Sequence, residues 1–321
     1  MNNILKRGLR FTLKTSFFKF LLIKALKEKK SRDALNQMYN KLGYKSKSQV
    51  HFLLSKFFTN QQIKFKDALW KINFNNKVLS LPLAEKNLWL DWDQALSILG
   101  HDITIKETYE DLIKQKKLAC IFDIGANYGT HSLLFLSQGI KTVTFEPNPN
   151  CRAVFSKLLE TNNLKGIIVP NAVGEADYET ELYFPEKNTW LGTLSEKIKV
   201  DLENKFDLIK VKTKVISLDS YLKENDFVPD LIKIDTEGYE LQVLNGAINT
   251  INKFKPMIVF EENEGYEQRV KIVDFLESLG YSIYKLPFLE TRKIQIDRKE
   301  FLESKETNFI SVFQSGTSTM K

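Results

Sequence analysis

Short apolar runs and amphipathic segments alternate along the chain from about residue 104 onward. Apolar runs of strand length predict strands, and segments with apolar residues three or four apart predict helices. The predicted strands cover 118–122, 141–146, 166–171, 231–235 and 256–261, and the predicted helices cover 104–114, 131–135, 150–160, 239–251 and 266–279. Strands that alternate with helices form a mostly parallel sheet covered on both faces. The pattern therefore predicts an α/β fold.

Four further segments have the composition of strands. Segments 178–184 and 211–216 flank a loop, and segments 281–286 and 308–314 complete the pattern. No helix of convincing length separates the last two segments. They are therefore expected to form an antiparallel pair at the edge of the sheet.

The first hundred or so residues follow a different pattern. Residues 1 to about 60 have mainly helical periodicity, and segments 68–74 and 77–81 flank Asn75-Asn76, which is typical of a hairpin turn. These changes predict three regions. They are a basic helical extension over 1–60, a β-hairpin and connecting region over 61–103, and the α/β domain over 104–315.

The formal net charge of +7 is concentrated at the N-terminus. The first thirty residues hold nine Lys and Arg against one Glu, so the rest of the chain is near neutral. This distribution argues against a basic groove for nucleic acid. The same arm has apolar residues at roughly helical spacing, which are Leu5, Leu9, Leu13, Phe17 and Phe20. Two interpretations stay open: a helix lying on an anionic membrane surface, or a helix packed on the main domain.

Targeting signals and cysteines add little to this picture. No apolar run reaches the roughly twenty residues of a membrane span, and no small-residue cleavage site follows the arm. The two cysteines, Cys120 and Cys151, suggest no disulfide framework. We therefore expect a cytoplasmic protein, and peripheral contact of residues 1–30 at the inner face of the membrane is one of the two open interpretations of the arm.

The most informative stretch is DIGANYG, from Asp123 to Gly129, which joins a predicted strand to a predicted helix. A dinucleotide fingerprint needs a middle glycine that this turn lacks, and no P-loop lysine follows it. The carboxylate of Asp123 would repel a phosphate but suit a cationic ligand. S-adenosylmethionine is such a ligand, because it carries an ammonium and a sulfonium and no phosphate. Glu146, at the end of the next strand, could accept hydrogen bonds from both ribose hydroxyls.

A second acidic group follows the strand at 231–235. Asp235 ends this strand, Glu237 is predicted to begin the next helix, and Glu240 lies one turn further on. Asp235 or Glu237 could orient or deprotonate an acceptor hydroxyl, which is a poor nucleophile until its proton has an acceptor. The alternative is that Glu237 caps the helix and Glu240 is solvated. Lys233, inside the strand, is expected to reach a carboxylate such as Asp123 or Glu261.

Two further observations bear on catalysis and metal binding. His131, just inside the helix after the glycine turn, could be a base near the methyl group, or simply a packed surface residue. Glu261 and Glu262 could join Asp235 in an oxygen-ligand site for a divalent cation. Strand ends are commonly charged because they meet water, and no His/Cys zinc spacing occurs. The sequence therefore predicts no metal ligands, and a divalent cation is not expected as a cofactor.

Four motifs together resemble the FkbM family of S-adenosylmethionine-dependent methyltransferases. They are DIGANYG, TVTFEPNP (142–149), VPNAVGE (169–175) and LIKIDTEGYELQVLNGA (231–247), and the resemblance covers about residues 104–265. It implies the class I methyltransferase fold, a Rossmann-like three-layer sandwich whose seven-stranded sheet has an antiparallel last strand. It also implies methylation of a hydroxyl on a saccharide or secondary metabolite.

The resemblance also implies roles for single residues in cofactor binding. Asp123, Gly125, Asn127 and Gly129 would surround the methionine part of S-adenosylmethionine, and Glu146 would hold the ribose. Asn171, at the end of the third predicted strand, would lie near the adenine, although an Asn at this place is also a common turn former. The predicted catalytic residues are Asp235, Glu237 and His131.

The sequence thus predicts an O-methyltransferase, with one alternative. The alternative is a non-catalytic methyltransferase-like module that binds a glycan precursor or a partner at the membrane surface. A nucleic-acid methyltransferase is disfavoured, because the usual Asn/Asp-Pro-Pro-aromatic motif is replaced by Asp235-Thr236-Glu237-Gly238. Acceptor specificity is expected from the N-terminal region and the insert at 178–210, where Trp70 and Trp190 could stack on a sugar ring. The acceptor and the oligomeric state are left open.

Overall fold

The computed structural model describes residues 16–58, 68–83, 92–186 and 191–314. The chain divides into two compact units. One comprises residues up to 106 together with 156–163, and the other comprises 107–155 and the residues from 164 onward. The predicted domain boundaries at 60, 103 and 315 stay predictions.

The first unit contains helices and one hairpin. Its helices are α1 (Ser16–Lys27), α2 (Lys29–Asn40), α3 (Tyr44–Phe58) and α4 (Trp92–Gly100), and its hairpin pairs β1 (Leu69–Phe74) with β2 (Lys77–Pro82). Asn75 and Asn76 both have left-handed φ, at 43° and 66°, which matches the twist of a two-residue hairpin turn. The predicted hairpin is confirmed. Alternate residues of β1 are buried, as expected of a strand with one face in a core.

The N-terminal arm is described only from Ser16, so Leu5, Leu9 and Leu13 lie outside the described residues. In α1, Leu26 is fully buried, whereas Phe20 is 60% exposed. Across the described parts of the chain, no helix has both the length and the apolar composition needed to cross a membrane. Contact of this arm with a membrane surface stays a prediction.

The second unit is built on an eight-stranded sheet. Its strands, in spatial order, are β12 (Arg292–Ile296), β11 (Tyr281–Leu289), β13 (Asn308–Phe313), β10 (Met257–Glu261), β9 (Leu231–Ile234), β3 (Cys120–Ile124), β4 (Lys141–Phe145) and β5 (Ile167–Val169). The five strands from β10 to β5 are parallel, and β13 runs antiparallel to both β10 and β11. The predicted α/β fold and the predicted antiparallel pairing of the last two strands are confirmed.

The sheet has one strand more than the predicted seven. The additional strand, β12, pairs antiparallel with β11 and forms the edge in place of the expected pair. Four of its five residues are exposed and only Ile296 is buried. An exposed edge strand of this kind carries almost no apolar signal in the sequence, so it was not predicted.

Helices follow the strands of this sheet in the usual α/β manner. They are α5 (Ile103–Lys114), α6 (Thr130–Ser137), α7 (Pro149–Thr161), α9 (Leu218–Glu224), α10 (Glu240–Asn245), α11 (Ile248–Phe254), α12 (Tyr266–Ser278) and α13 (Arg298–Glu303). The chain passes outward from β3 to β4 and β5, then returns to β9 and β10 on the other side. Because such crossovers are right-handed, helices cover both faces, and the order reverses between β3 and β9.

A separate three-stranded sheet completes this unit. It consists of β6 (Ala172–Val173), β8 (Leu208–Ile216) and β7 (Tyr178–Pro185), with β8 in the middle. Helix α8 (Glu196–Glu203) lies between β7 and β8 in the chain. The segments predicted at 178–184 and 211–216 are strands, and they pair with each other antiparallel.

The prediction of one continuous helix over 239–251 is wrong. The chain forms the two helices α10 and α11, with a break at Gly246 and Ala247. The break brings Gly246 against the backbone of Gly174: a Cβ at position 246 would lie 1.8 Å from the carbonyl oxygen of Gly174. Only glycine allows this approach, which packs the start of the small sheet against α10. The periodicity of 239–251 cannot show this contact, since its cause is distant in sequence.

Gly246→Ala is therefore expected to reduce the free energy of unfolding by at least about 1–3 kcal/mol, the usual cost of overpacking. Backbone strain does not contribute, because the φ of Gly246 is −74°. Urea denaturation followed by circular dichroism measures the change. Gly43→Ala is the control, since nothing lies within 4 Å of a Cβ at that position. Equal stabilities of the two variants would contradict the packing argument.

Candidate active site

The glycine turn between β3 and α6 is packed tightly against the neighbouring chain. Gly125, Asn127 and Gly129 have left-handed φ values of 72°, 54° and 66°. A Cβ at Gly125 would lie 1.8 Å from the backbone oxygen of Asp235, and one at Gly129 would lie 2.2 Å from the ring of Phe155. Both glycines are therefore needed for the turn to reach its place at the end of the sheet.

Glu146 fixes the other side of this turn. One carboxylate oxygen accepts a hydrogen bond from the Asn127 N–H at 2.6 Å, and the other accepts one from the Asn148 N–H at 2.7 Å. A carboxylate can accept about four hydrogen bonds, so both oxygens keep capacity for a ligand. Burial raises the pKa of Glu146 to about 7, although the two backbone hydrogen bonds favour its ionised form.

A buried ion-pair chain lies at the ends of β3 and β9. Asp123 is fully buried, and its Oδ2 accepts hydrogen bonds from the N–H and hydroxyl of Ser132 at 3.0 and 2.6 Å. The Nζ of Lys233 lies 3.7 Å from Asp123 Oδ1 and 3.0 Å from Asp235 Oδ2. The expected pairing of Lys233 with Asp123 is confirmed, and that with Glu261 is replaced by Asp235. The cation beside Asp123 is thus the ammonium of Lys233. Contact of Asp123 with a cofactor stays a prediction.

The electrostatics of Lys233 follow from these two partners. Burial by itself lowers the pKa of Lys233, but the charges of Asp235 and Asp123 outweigh this effect and hold the pKa above its ordinary value. The lysine is therefore charged at neutral pH. It compensates Asp123 in the centre of the sheet, where an unpaired carboxylate would be costly.

The chain from Asp235 turns tightly before it enters the next helix at Glu240. Glu237 and Gly238 have left-handed φ values of 53° and 92°, and α10 begins only at Glu240. The prediction that Glu237 begins or caps the helix is wrong, because these two residues turn the chain first. Glu240 is buried, not solvated, and accepts hydrogen bonds from the Thr236 N–H, the Thr236 hydroxyl and the Gly238 N–H.

Three carboxylates meet where β9 and β10 end. The Asp235 side chain is 31% exposed, and Asp235 and Glu261 directly follow the paired residues Ile234 and Phe260 of the two adjacent strands. Burial and the charge of Asp235 raise the pKa of Glu261 to about 8, whereas the Asn263 amide, 2.8 Å from Glu261, lowers it. Burial and the charges of Asp235 and Glu240 raise the pKa of Glu237 to about 7.

Glu262 does not belong to this group, contrary to the suggestion that it joins Asp235 and Glu261. It is fully buried and accepts hydrogen bonds from the N–H groups of Glu264 and Gly265 and from Arg269 Nε at 2.5 Å. Successive side chains beyond a strand point to opposite sides, which separates Glu262 from its neighbour. Within the described ranges, the His, Cys, Asp and Glu side chains form no cluster of three or more that could hold a metal ion.

The remaining predicted site residues lie at different places in the fold. His131, at the start of α6, is partly buried, and its Nδ1 lies 3.1 Å from the hydroxyl of Tyr109. Asn171 lies two residues beyond β5, and its amide donates to the Lys214 carbonyl at 3.3 Å. Their roles in catalysis and adenine binding stay predictions, and Trp190 lies outside the described residues.

Some contacts of the site were not predicted from the sequence. The hydroxyl of Thr193, in the insert at 178–210, donates to the Glu237 carbonyl at 2.9 Å, and Thr193 is almost fully buried. The sequence suggests Glu261 as a metal ligand or a partner of Lys233, and its position at the end of β10 places it beside Asp235. Ser132 donates two hydrogen bonds to Asp123. The sequence could have suggested this contact, because Asp123 lies at the end of a strand and Ser132 lies in the first turn of the helix that follows.

Comparison with known proteins adds an independent observation. A profile described as "Methyltransferase FkbM domain" matches residues 123–283. Hexuronic acid methyltransferase AglP from Haloferax volcanii is 30% identical over 142 residues, which are 43% of this chain and 54% of AglP. This chain thus spans about half the length of that curated relative.

Solved structures give more distant similarities. A methyltransferase FkbM from Methylobacillus flagellatus is 18% identical with a TM-score of 0.40, over 72% of this chain and 56% of that chain. An O-methyltransferase from Bacillus cereus, solved in complex with SAH, is 14% identical with a TM-score of 0.37, over 72% of this chain and 92% of that chain.

Lys233→Met is expected to destabilise the protein strongly, because it leaves Asp123 buried without a compensating charge. The expected loss is about 3–5 kcal/mol in the free energy of unfolding, measured by urea denaturation. Lys210→Met is the matched control, because it removes an ion pair with Glu181 on the surface. The side chain of Lys210 is 64% exposed and that of Glu181 is 37% exposed. Such a surface pair contributes about 0–1 kcal/mol. Similar losses in the two variants would argue against the buried ion-pair chain.

Proposed function

The chain belongs to the FkbM family of methyltransferases, and from this membership we propose that it transfers a methyl group from S-adenosylmethionine to a hydroxyl of a saccharide or a secondary metabolite. The observation that carries the proposal is the direct packing of the glycine turn against the acidic loop. Gly125 approaches the backbone oxygen of Asp235 so closely that no side chain fits between them. A ligand on the turn and a ligand on the loop would therefore be neighbours.

The location of this contact supports the proposal. It lies at the carboxyl ends of β3 and β9, where the strand order reverses. Open α/β sheets bind their ligands in the crevice that this reversal creates. The fold is that of a class I methyltransferase, with an additional edge strand beyond the usual seven.

The residues on the β3 and β4 side fit a nucleoside that carries no phosphate. The left-handed glycines hold the backbone in an open turn, and Glu146 presents a buried carboxylate with free acceptor capacity to a ribose diol. S-adenosylmethionine would supply a methyl group on a positively charged sulfur. The buried carboxylates around the turn favour a cationic ligand over a phosphate.

The residues on the β9 and β10 side fit a hydroxyl acceptor. Methyl transfer to oxygen requires alignment of the two reactants and a group that takes up the hydroxyl proton. Asp235, Glu237 and Glu261 place carboxylates beside the turn, with part of the Asp235 side chain open to solvent. A relative that acts on a hexuronic acid makes a saccharide the first acceptor class to examine.

Glu146→Gln is expected to weaken S-adenosylmethionine binding by about 10–100-fold, the usual effect of losing a hydrogen bond to a charged group. Isothermal titration calorimetry gives the Kd. Glu160→Gln is the control, because Glu160 is a 72% exposed residue paired with Lys157 on the surface. Absence of binding to the wild type, or unchanged binding to Glu146→Gln, would contradict the donor assignment.

The pH dependence of donor binding provides a second measurement on Glu146. Ribose hydroxyls donate to the ionised carboxylate, so protonation of Glu146 opposes binding. With the pKa near 7, the affinity is expected to fall about tenfold between about pH 8 and about pH 6. Titrations at both pH values should show this change in the wild type and a flat profile in Glu146→Gln. A wild-type profile equally flat would contradict the ribose contact.

The acceptor is tested by incubating the protein with isotope-labelled S-adenosylmethionine and a panel of saccharides. The panel pairs neutral hexosides with the corresponding hexuronic acids, and mass spectrometry locates the transferred methyl group. We expect label on a hydroxyl oxygen of at least one saccharide. Donor binding without transfer to any saccharide or cell-extracted glycan would favour the non-catalytic module.

A further inference from the structure

We propose that Glu261 is the general base that accepts the proton of the acceptor hydroxyl, and that Asp235, at the end of the adjacent strand, is a positioning residue for Glu261. This inference rests on the proposed function and assigns two roles within the same site. It moves the base from Asp235, Glu237 or His131, the candidates from the sequence, to a residue at the end of the next strand.

The geometry of the sheet brings the two carboxyl groups together. Strands β9 and β10 are parallel, and Ile234 is paired with Phe260 in the register. Asp235 and Glu261 follow these two residues directly, so their backbones leave the sheet side by side. The carboxyl groups of Asp235 and Glu261 are therefore neighbours, and the negative charge of one opposes ionisation of the other.

The surroundings make the two members of the pair unequal. Asp235 Oδ2 is 3.0 Å from the buried ammonium of Lys233, so the charge of Asp235 is compensated by an ion pair, whereas no such ion pair with Glu261 is described. The described groups that act on Glu261 are Asp235 after β9, Glu237 in the loop that follows and Asn263 after β10. Of these, the two carboxylates disfavour the ionised form of Glu261, and only the uncharged Asn263 favours it.

The third neighbouring element adds no charge. On the other side of β10, Asn308 of β13 is the residue paired with Glu261. Glu261 is therefore partly buried and accepts a hydrogen bond from the Asn263 amide, while the ammonium of Lys233 is paired with Asp235. A carboxyl with a pKa raised into the neutral range is suited to accept a proton, because a base is most effective near the working pH.

The step is balanced as follows. The acceptor oxygen forms a bond to the methyl carbon while its O–H bond breaks, and the proton goes to the carboxylate of Glu261. The electron pair of the broken C–S bond stays on the sulfur, which becomes an uncharged thioether. Glu261 then releases the proton to solvent. Asp235 and Lys233 keep their charges throughout, so the proton has one destination.

The test compares Glu261→Gln and Asp235→Asn with the wild type, using the full chain. Glu261→Gln is expected to lower kcat by about 10²-fold or more, with donor affinity in calorimetry unchanged. In the wild type, kcat should rise with pH as Glu261 ionises. In Asp235→Asn the midpoint should move to lower pH, because a like charge is removed and the amide can donate to ionised Glu261.

A titration independent of activity measures the same coupling. The carboxyl carbons of labelled glutamate are followed by NMR against pH, and the Glu261 signal is assigned by its loss in Glu261→Gln. A midpoint above the ordinary range of Glu that falls in Asp235→Asn supports the pair. A Glu261 midpoint that Asp235→Asn leaves unchanged would overturn it.

Glu267→Gln, an exposed residue at the start of α12, is the control and should leave kcat and its pH profile unchanged. Wild-type transfer that Glu261→Gln preserves within about threefold would overturn the assignment of the base. Failure of the proposed function would give a different result, because the wild-type protein would then bind no donor in calorimetry.

Discussion

The second unit depends on one buried ammonium group. Lys233 lies on the central strand β9, and its Nζ is 3.7 Å from Asp123 and 3.0 Å from Asp235. The first of these carboxylates is fully buried under the glycine turn, and the second is partly open beside the acidic loop. A single cation therefore stabilises both sides of the crevice. Asp123 and Asp235 are paired with this cation, whereas burial raises the pKa values of Glu146 and Glu237 to about 7 and that of Glu261 to about 8.

The predictions from sequence succeeded where local pattern decides the structure. The apolar run before DIGANYG correctly predicts β3 and its turn, and Asn75-Asn76 correctly predicts the hairpin. Both features depend on residues that are close together in the chain. The unusual lysine in an apolar strand correctly predicted a carboxylate partner. Asp123 could be named as the partner because α/β topology makes its strand and the strand of Lys233 neighbours in the sheet.

The errors have several physical origins, and one of them is a contact between residues distant in sequence. The break before α11 results from the approach of Gly246 to Gly174, and the start of α10 is delayed by the left-handed residues Glu237 and Gly238. Strand β12 is nearly all exposed, so no apolar pattern marks it. Glu262 was grouped with Glu261 although neighbouring side chains of an extended segment point apart. Of these, only the last could have been corrected from sequence, by applying the two-residue period of a strand.

The hydroxyl of Thr193 that donates to the Glu237 carbonyl has a consequence for the conformation of the acidic loop. Thr193 lies between β7 and β8 in the chain, and these two strands belong to the small sheet, whereas the loop follows β9 of the eight-stranded sheet. The backbone of the loop is therefore held in part by a residue that is distant in sequence and outside the main sheet. A substitution at Thr193 would thus act on the loop without altering any strand of the eight-stranded sheet.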